Sequence, residues 1–271
     1  MLKPDINYKV VDGRIKTRSL EVHIVDHCNL RCTECCSLSP YLPERFVSPD
    51  EMEHDLRLAG KAVAPTYLKL VGGEPSLHPQ LLECLRVARQ LELAEIVSVT
   101  TNGLLIEKMP DEYWELIDAM TLSLYPAPKL NNAVMEFIEK KAKQFHVFLN
   151  IKHQPEFVQM THWDPAADPE SKQAIFSDCW LRERCHIVDK GRFYMCTRPP
   201  HFHTLFKGTR SFEDDGIVLH AGDTLVNEIY QYLTHEKPLN ACLYCYGGNA
   251  TTAPHRLLVR REIDMVLEAI K

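Results

Sequence analysis

The stretch LEVHIVDHCNLRCTECC, residues 20–36, is the part of the chain that decides the fold. Its first half, Leu20–Asp26, is a short apolar run typical of a buried strand. Directly after it, Cys28, Cys32 and Cys35 follow the spacing C-x3-C-x2-C. Barrel folds carry their chemistry on loops at the carboxyl ends of parallel strands. The stretch therefore predicts a strand that ends in a metal-binding loop.

The spacing is compatible with more than one kind of metal site. Three thiolates can bind three irons of a cubane cluster and leave the fourth iron open to a substrate. A structural zinc site usually closes with four ligands in paired spacings, and the only near fourth candidate, Cys36, directly follows Cys35. The spacing favours an iron–sulfur cluster, with zinc and plain buried thiols left as alternatives.

A repeated pattern of a short apolar run followed by a helical segment begins near residue 20. It indicates a parallel sheet covered by helices, an α/β fold. The predicted strands are Leu20–Asp26, Tyr67–Val71, Ile96–Thr101, Ala119–Tyr125 and His146–Lys152. The predicted helices are Pro49–Lys61, His78–Leu91, Pro110–Ile117 and Asn132–Gln144.

Composition excludes several classes of protein. The 271 residues carry a net charge of -6, so we expect no nucleic-acid partner. The chain has no signal-peptide core and no run of about 18 apolar residues, so we expect a cytoplasmic protein without a membrane partner. Ten cysteines in a reducing compartment favour metal binding or redox chemistry over disulfides.

A second group of cysteines follows a change in pattern near residue 155. Cys179 and Cys196 enclose a predicted hairpin, and Cys242 and Cys245 form a C-x2-C pair. Four thiolates would close either a zinc site or an iron–sulfur cluster, and Cys185 could replace Cys179 as a ligand. The predicted domains are residues 1–155, residues 156–253 and residues 254–271. The last of these is predicted to be an amphipathic helix, near Pro254–Ile270.

The first cysteine loop resembles that of the radical S-adenosylmethionine (SAM) superfamily. LVGGEP, residues 70–75, is similar to the superfamily's GGEP motif, and SVTTNG, residues 98–103, is similar to its ribose-binding segment. The resemblance implies a partial (β/α)6 TIM-like barrel and a [4Fe–4S] cluster on Cys28, Cys32 and Cys35 whose open iron binds SAM. The implied SAM-binding residues are Gly72, Gly73, Glu74, Ser98, Asn102 and Ser123. Glu34 departs from the family, which usually has an aromatic or apolar residue there.

The second cysteine group resembles the twitch domain, a short C-terminal domain of some radical SAM enzymes. This resemblance implies a second [4Fe–4S] cluster with four ligands, and the family also implies an electron donor such as flavodoxin or ferredoxin. The implied ligands are Cys179, Cys196, Cys242 and Cys245.

The implied chemistry is hydrogen abstraction by a 5'-deoxyadenosyl radical from a carbohydrate-like small molecule, as in relatives of antibiotic biosynthesis. Seven cluster ligands leave Cys36, Cys84 and Cys185 spare, and Cys185 is the predicted hydrogen donor of an epimerisation. Lys152 and His153 are the predicted base candidates. Dehydrogenation of a secondary alcohol is the alternative, and peptide modification is less favoured. An iron–sulfur electron carrier would leave the GGEP and TNG segments without a purpose.

Overall fold

A computed structural model describes residues 4–164, 169–206 and 212–270 of the chain. Its strands are β1 (Val10–Val11), β2 (Arg14–Val25), β3 (Val63–Gly72), β4 (Ile96–Thr101), β5 (Ala119–Leu124), β6 (Phe148–His153), β7 (Glu156–Val158), β8 (Ile187–Asp189), β9 (Arg192–Tyr194), β10 (Ile217–Val218) and β11 (Thr252–Pro254). Its helices are α1 (Pro49–Ala59), α2 (Leu81–Gln90), α3 (Asp111–Glu115), α4 (Asn132–Gln144), α5 (Pro169–Asp178), α6 (Arg198–Leu205), α7 (Leu225–Thr234) and α8 (Arg260–Ala269).

One mixed sheet organises the described residues, in the order β10-β9-β8-β2-β3-β4-β5-β6, with β1 paired to β2. The neighbours from β2 to β6 are parallel, as are β2 and β8. This topology confirms the predicted α/β class and agrees with a partial TIM-like barrel. The sixth parallel strand, however, is β8, which lies beside β2 at the opposite edge from β6.

The five predicted strands are present, but the first two of them, β2 and β3, begin earlier than predicted. Strand β2 begins at Arg14, because exposed and buried residues alternate along its first half. Strand β3 begins at Val63 and contains Pro65, which normally excludes a central strand. Pairing between β3 and β4 starts only at Tyr67, so Pro65 lies where the strand has one neighbour.

The predicted C-terminal helix, Pro254–Ile270, is too long at its start. The helix α8 begins only at Arg260, because Thr252–Pro254 pairs with β7 as a strand. Residues 255–258, called here the C-terminal strap, then cross the first cysteine loop. The Leu258 amide donates to the Arg31 carbonyl oxygen at 2.7 Å, and the Thr33 amide donates to the Arg256 carbonyl oxygen at 2.9 Å.

The two faces of the sheet differ in polarity. Val22, Leu70 and Val99 are in register and point into a buried core shared with the helices. Because successive residues of a strand point to opposite faces, their neighbours Glu21, Lys69 and Ser98 point to the other face. We call it the concave face, because it is the inner face of a partial barrel. The fold thereby separates a packed apolar side from a polar side. Within the described residues, no helix is both long and apolar enough to cross a membrane.

We predict that Leu122→Ala destabilises the metal-free protein by about 2–5 kcal/mol, since it leaves a cavity in the core. Ile151→Ala is the matched control. Ile151 is the register partner of Leu122 but is 38% exposed, whereas Leu122 is 0% exposed. Urea unfolding followed by circular dichroism should give the larger loss for Leu122. Equal losses would contradict the placement of the core.

Candidate active site

The two adjacent glycines of the GGEP motif hold strand β3 against the first cysteine loop. The Gly73 amide donates to the Val25 carbonyl oxygen at 2.8 Å. A β-carbon at Gly73 would lie 1.8 Å from the His27 carbonyl oxygen, and one at Gly72 would lie 2.1 Å from that of Val25. The glycines are thus required by the contact between two segments of backbone, and not only by the approach of a ligand.

Glu74 is the buried centre of this region, with 1% of its surface exposed. Its Oε1 accepts from the Ser76 amide at 3.1 Å, the Ser76 hydroxyl at 2.6 Å and the Thr101 hydroxyl at 2.6 Å. Its Oε2 accepts from the Asn102 amide at 2.7 Å. Burial raises the pKa of Glu74, and these hydrogen bonds oppose that shift. The carboxylate therefore joins the GGEP motif to the end of β4.

The side chain of Asn102 contacts the cysteine loop. Its side-chain nitrogen donates to Asn29 Oδ1 at 2.7 Å and lies 3.8 Å from the Cys28 sulfur. Its side-chain oxygen accepts from the Leu104 amide at 3.0 Å. The predicted SAM-binding residues Glu74 and Asn102 are therefore brought together with a predicted cluster ligand.

The three front thiols are largely buried around this loop. Burial raises the pKa of Cys28 to about 12 and that of Cys35 to about 11, so ligation of a metal must displace their protons. The Leu30 amide donates to the Cys28 sulfur at 3.4 Å. His255, on the C-terminal strap, places Nε2 3.2 Å from the Cys32 sulfur and stacks on Tyr125 with ring centroids 5.0 Å apart. Three thiols on one loop, with hydrogen-bond partners for two of the sulfurs, fit the donor set of an open cubane cluster.

We predict that Glu74→Gln weakens SAM binding about tenfold without loss of iron. Glutamine cannot accept from all four donors, and a charge-assisted hydrogen bond contributes roughly 1.5–3 kcal/mol. Equilibrium dialysis of SAM against anaerobically reconstituted protein would measure the effect. Glu83→Gln, on the exposed side of α2, serves as the control. Unchanged affinity would remove Glu74 from the SAM site.

The concave face carries charged residues that the sequence analysis did not select. The Lys69 nitrogen lies 3.3 Å from Glu21 Oε1, and His23 Nε2 lies 3.9 Å from Glu21 Oε2. Burial acts in the opposite direction, but His23 and Lys69 together lower the pKa of Glu21. His23 in turn shares a 3.1 Å hydrogen bond with His201. These contacts join Glu21, Lys69, His23 and His201 into a polar, partly accessible group, called here the charged floor of the concave face.

The predicted bases Lys152 and His153 end the exposed edge strand β6. Lys152 is in register with Ser123 and shares its face, which is the concave one. His153 alternates to the opposite face of the strand. The structure therefore brings Lys152 but not His153 to the side of the sheet that carries Glu21 and Lys69.

Cys185 lies beside this floor, just before β8. Burial raises the pKa of its thiol well above the usual value, and Glu21 and Cys196 act in the same direction. The thiol therefore stays protonated near neutral pH. The other spare thiols differ, because Cys84 is fully buried in α2 and Cys36 is exposed.

The four predicted rear ligands line one cavity, called here the rear cavity. Cys179 is among the residues around this cavity, whereas Cys185 is not among its described lining residues. The placement favours Cys179 as the ligand. The rear cavity is lined by Cys179, Cys196, Cys242 and Cys245, with Arg182, Arg198 and several apolar side chains.

Backbone amides of a glycine turn point at two of these sulfurs. The Gly247 amide donates to the Cys245 sulfur and the Gly248 amide to the Cys179 sulfur, both at 3.3 Å. Gly247 has a φ of +78°, which favours glycine. The four thiols, with amide donors to two of the sulfurs, have the chemistry of the donor set for a thiolate-ligated group.

Among residues 4–164, 169–206 and 212–270, no set of three or more His, Cys, Asp or Glu side chains converges as a site for a metal ion. Both clusters stay predictions.

Asp215 fixes the segment that carries Cys242 and Cys245. Its carboxylate accepts from the Asn240 amide at 2.6 Å and from the Ala241 amide at 2.8 Å, at the start of the turn Asn240–Tyr244. Burial raises the pKa of Asp215 to about 6, against the effect of these two donors.

This shift predicts a pH-dependent contribution to stability. Because its pKa is higher in the folded state, Asp215 favours folding below about pH 4, and this contribution is lost as the pH rises through 6. The unfolding free energy of metal-free wild type, minus that of Asp215→Asn, should therefore fall between pH 4 and pH 7. Urea titrations at both pH values measure it. A difference that grows with pH would contradict the shift.

Comparison with known proteins relates the first half of the chain to a protein family. Residues 22–152, just under half of the chain, match the family described as the Radical SAM superfamily, so this region is a radical SAM domain. The family implies a [4Fe–4S] cluster and SAM. The GTP 3',8-cyclase of Chlorobaculum tepidum is 34% identical over 109 residues, 39% of this chain and 32% of the relative. That of Mycolicibacterium smegmatis is 38% identical over 95 residues, 34% of this chain and 26% of the relative.

The chain thus spans about a quarter to a third of the length of these relatives. Among solved structures, BtrN in an open conformation is 14% identical with a TM-score of 0.49, covering 87% of this chain and 95% of BtrN. Streptococcus suis SuiB bound to S-adenosylmethionine is 13% identical with a TM-score of 0.41, covering 80% of this chain and 64% of SuiB. These likenesses assign no substrate to this chain.

Proposed function

We propose that the protein is a radical SAM enzyme that epimerises a carbon of a small, hydroxyl-rich molecule, with Cys185 as the hydrogen donor. The observation that carries the proposal is the position of Cys185, outside the rear cavity and beside the charged floor of the concave face. A ligand thiol would belong to the cavity lining. A thiol donor should instead be protonated and close to the substrate.

The front cluster and SAM, when bound, supply a 5'-deoxyadenosyl radical that removes one hydrogen atom from the substrate. Glu74 and Asn102 order the SAM side of the site through the contacts described above. The Lys69 ammonium and Glu21 carboxylate can hold substrate hydroxyls, since one donates and the other accepts hydrogen bonds. The substrate class is a carbohydrate-like molecule, and an electron donor of the flavodoxin or ferredoxin kind supplies electrons.

Cys185 would complete the reaction from the opposite side of the carbon. Its S–H bond breaks, the hydrogen atom moves to the substrate carbon, and a sulfur-centred radical remains. One electron and one proton then restore the thiol. The raised pKa of Cys185 supports this role, because only the protonated thiol holds a hydrogen atom to give.

A second candidate is oxidation of a secondary alcohol to a ketone. Cys196 lines the rear cavity and also acts on the pKa of Cys185, so the rear site adjoins the concave face. Here the substrate radical would lose one proton to a base and one electron to a cluster in the rear cavity. Lys152 is the remaining base candidate on the concave side.

Cys185→Ala separates the two reactions. For an epimerase, the variant should keep its iron and still form 5'-deoxyadenosine with substrate, but lose the epimerised product at least about tenfold. In deuterium oxide, wild-type product should carry one solvent deuterium, because the thiol proton exchanges with water. Mass spectrometry of products from candidate sugars measures both. Cys84→Ala is the control. A wild-type product two mass units lighter, formed equally by Cys185→Ala, would favour the ketone instead.

A further inference from the structure

Two arginines line the rear cavity together with the four cysteines. Arg198 is 3% exposed and Arg182 is 8% exposed. Arginine is rarely buried to this degree unless its charge is compensated. The neutral thiols of the metal-free cavity do not provide that compensation.

Each guanidinium has a buried nitrogen without a hydrogen-bond partner among the described residues. Arg182 donates to the His235 carbonyl oxygen at 2.8 Å and to the Phe176 carbonyl oxygen at 3.4 Å, and it lies 3.7 Å above the Phe176 ring. Its Nε has no partner in the described part of the chain. Arg198 donates to the Thr161 hydroxyl at 2.9 Å, and its Nη2 has no partner within the same residues. Both unpartnered nitrogens belong to side chains that line the rear cavity.

Each of the two arginines interacts electrostatically with two of the four cysteines. Arg182 interacts electrostatically with Cys179 and Cys242. Arg198 interacts with Cys196 and Cys245. The nearby carboxylates are Glu236 for Arg182 and the half-buried Glu34 for Arg198. All four predicted ligands therefore lie within the field of one guanidinium or the other.

We propose that Arg182 and Arg198 compensate the negative charge of a [4Fe–4S] cluster in the rear cavity and raise its reduction potential. The inference rests on the predicted second cluster, which the alcohol-oxidation candidate of the proposed function uses. Four thiolates and an oxidised core carry two negative charges, and one electron from an external reductant adds a third. Two buried guanidiniums stabilise the reduced state more than the oxidised state, so the cluster accepts that electron more readily.

The test uses the 271-residue chain with Cys28, Cys32 and Cys35 replaced by alanine, so that only the rear cluster can form. Dithionite titrations followed by electron paramagnetic resonance give the potential. Arg182→Gln and Arg198→Gln should each lower the equilibrium constant for one-electron reduction about tenfold, or about 59 mV. Arg198→Lys should stay close to the parent, because it keeps the charge.

Arg184→Gln is the matched control. Arg184 lies two residues from Arg182 but pairs with Glu183 at 2.7 Å and is not among the described lining residues. Its removal should leave the potential unchanged. Equal potentials in the parent and both glutamine variants would overturn the proposal, whereas a shift restricted to them supports it.

Iron content decides the remaining outcomes. If the glutamine variants lose iron while Arg198→Lys retains it at the parent potential, charge compensation is supported. If the lysine variant also loses iron, Arg198 has a structural role and the proposal fails for that residue. About four irons in the wild-type protein would overturn the second cluster itself, and this inference with it. About eight irons with unshifted potentials would overturn this inference alone.

Discussion

The buried carboxylate of Glu74 is the interaction on which the site depends. It is removed from water, and its four hydrogen bonds come from the GGEP segment and from the end of β4. Burial of a carboxylate costs free energy unless such donors surround it. The donors are placed correctly only when both segments are folded, so the carboxylate makes the two segments adopt one arrangement. Through Asn102, that arrangement extends to the cysteine loop.

The sheet topology explains how the rear half of the chain reaches the same site. Strand β8 adds to the edge of β2 in parallel, with Glu21 in register with Ile187. The residues just before β8 therefore lie near the charged row of the concave face, and Cys185 is among them. The hairpin β8–β9 turns at Lys190 and Gly191, both with positive φ, and returns the chain to Cys196. One strand pairing thus positions both the proposed hydrogen donor and a lining residue of the rear cavity.

Local pattern predicted the features that depend on near neighbours in the sequence. The strand Ile96–Thr101 and the helix Asn132–Gln144 agree with their predicted bounds, because periodicity and a cap at Asn131 define them. Glu21 and Lys69 were missed, although charged residues within predicted buried strands are a signal for a polar inner face. His255 and Asp215 gave no local signal, since their roles come from contacts with Cys32 and Ala241, far away in the chain.

The C-terminal strap has a consequence for how the protein is made. His255 and Cys32 are in contact but 223 residues apart in the sequence. During synthesis from the amino terminus, the front thiols leave the ribosome long before the segment that covers them. The loop that is predicted to hold a cluster therefore lacks these contacts until the strap has been translated. Once made, the strap places a ring and two backbone hydrogen bonds over the loop.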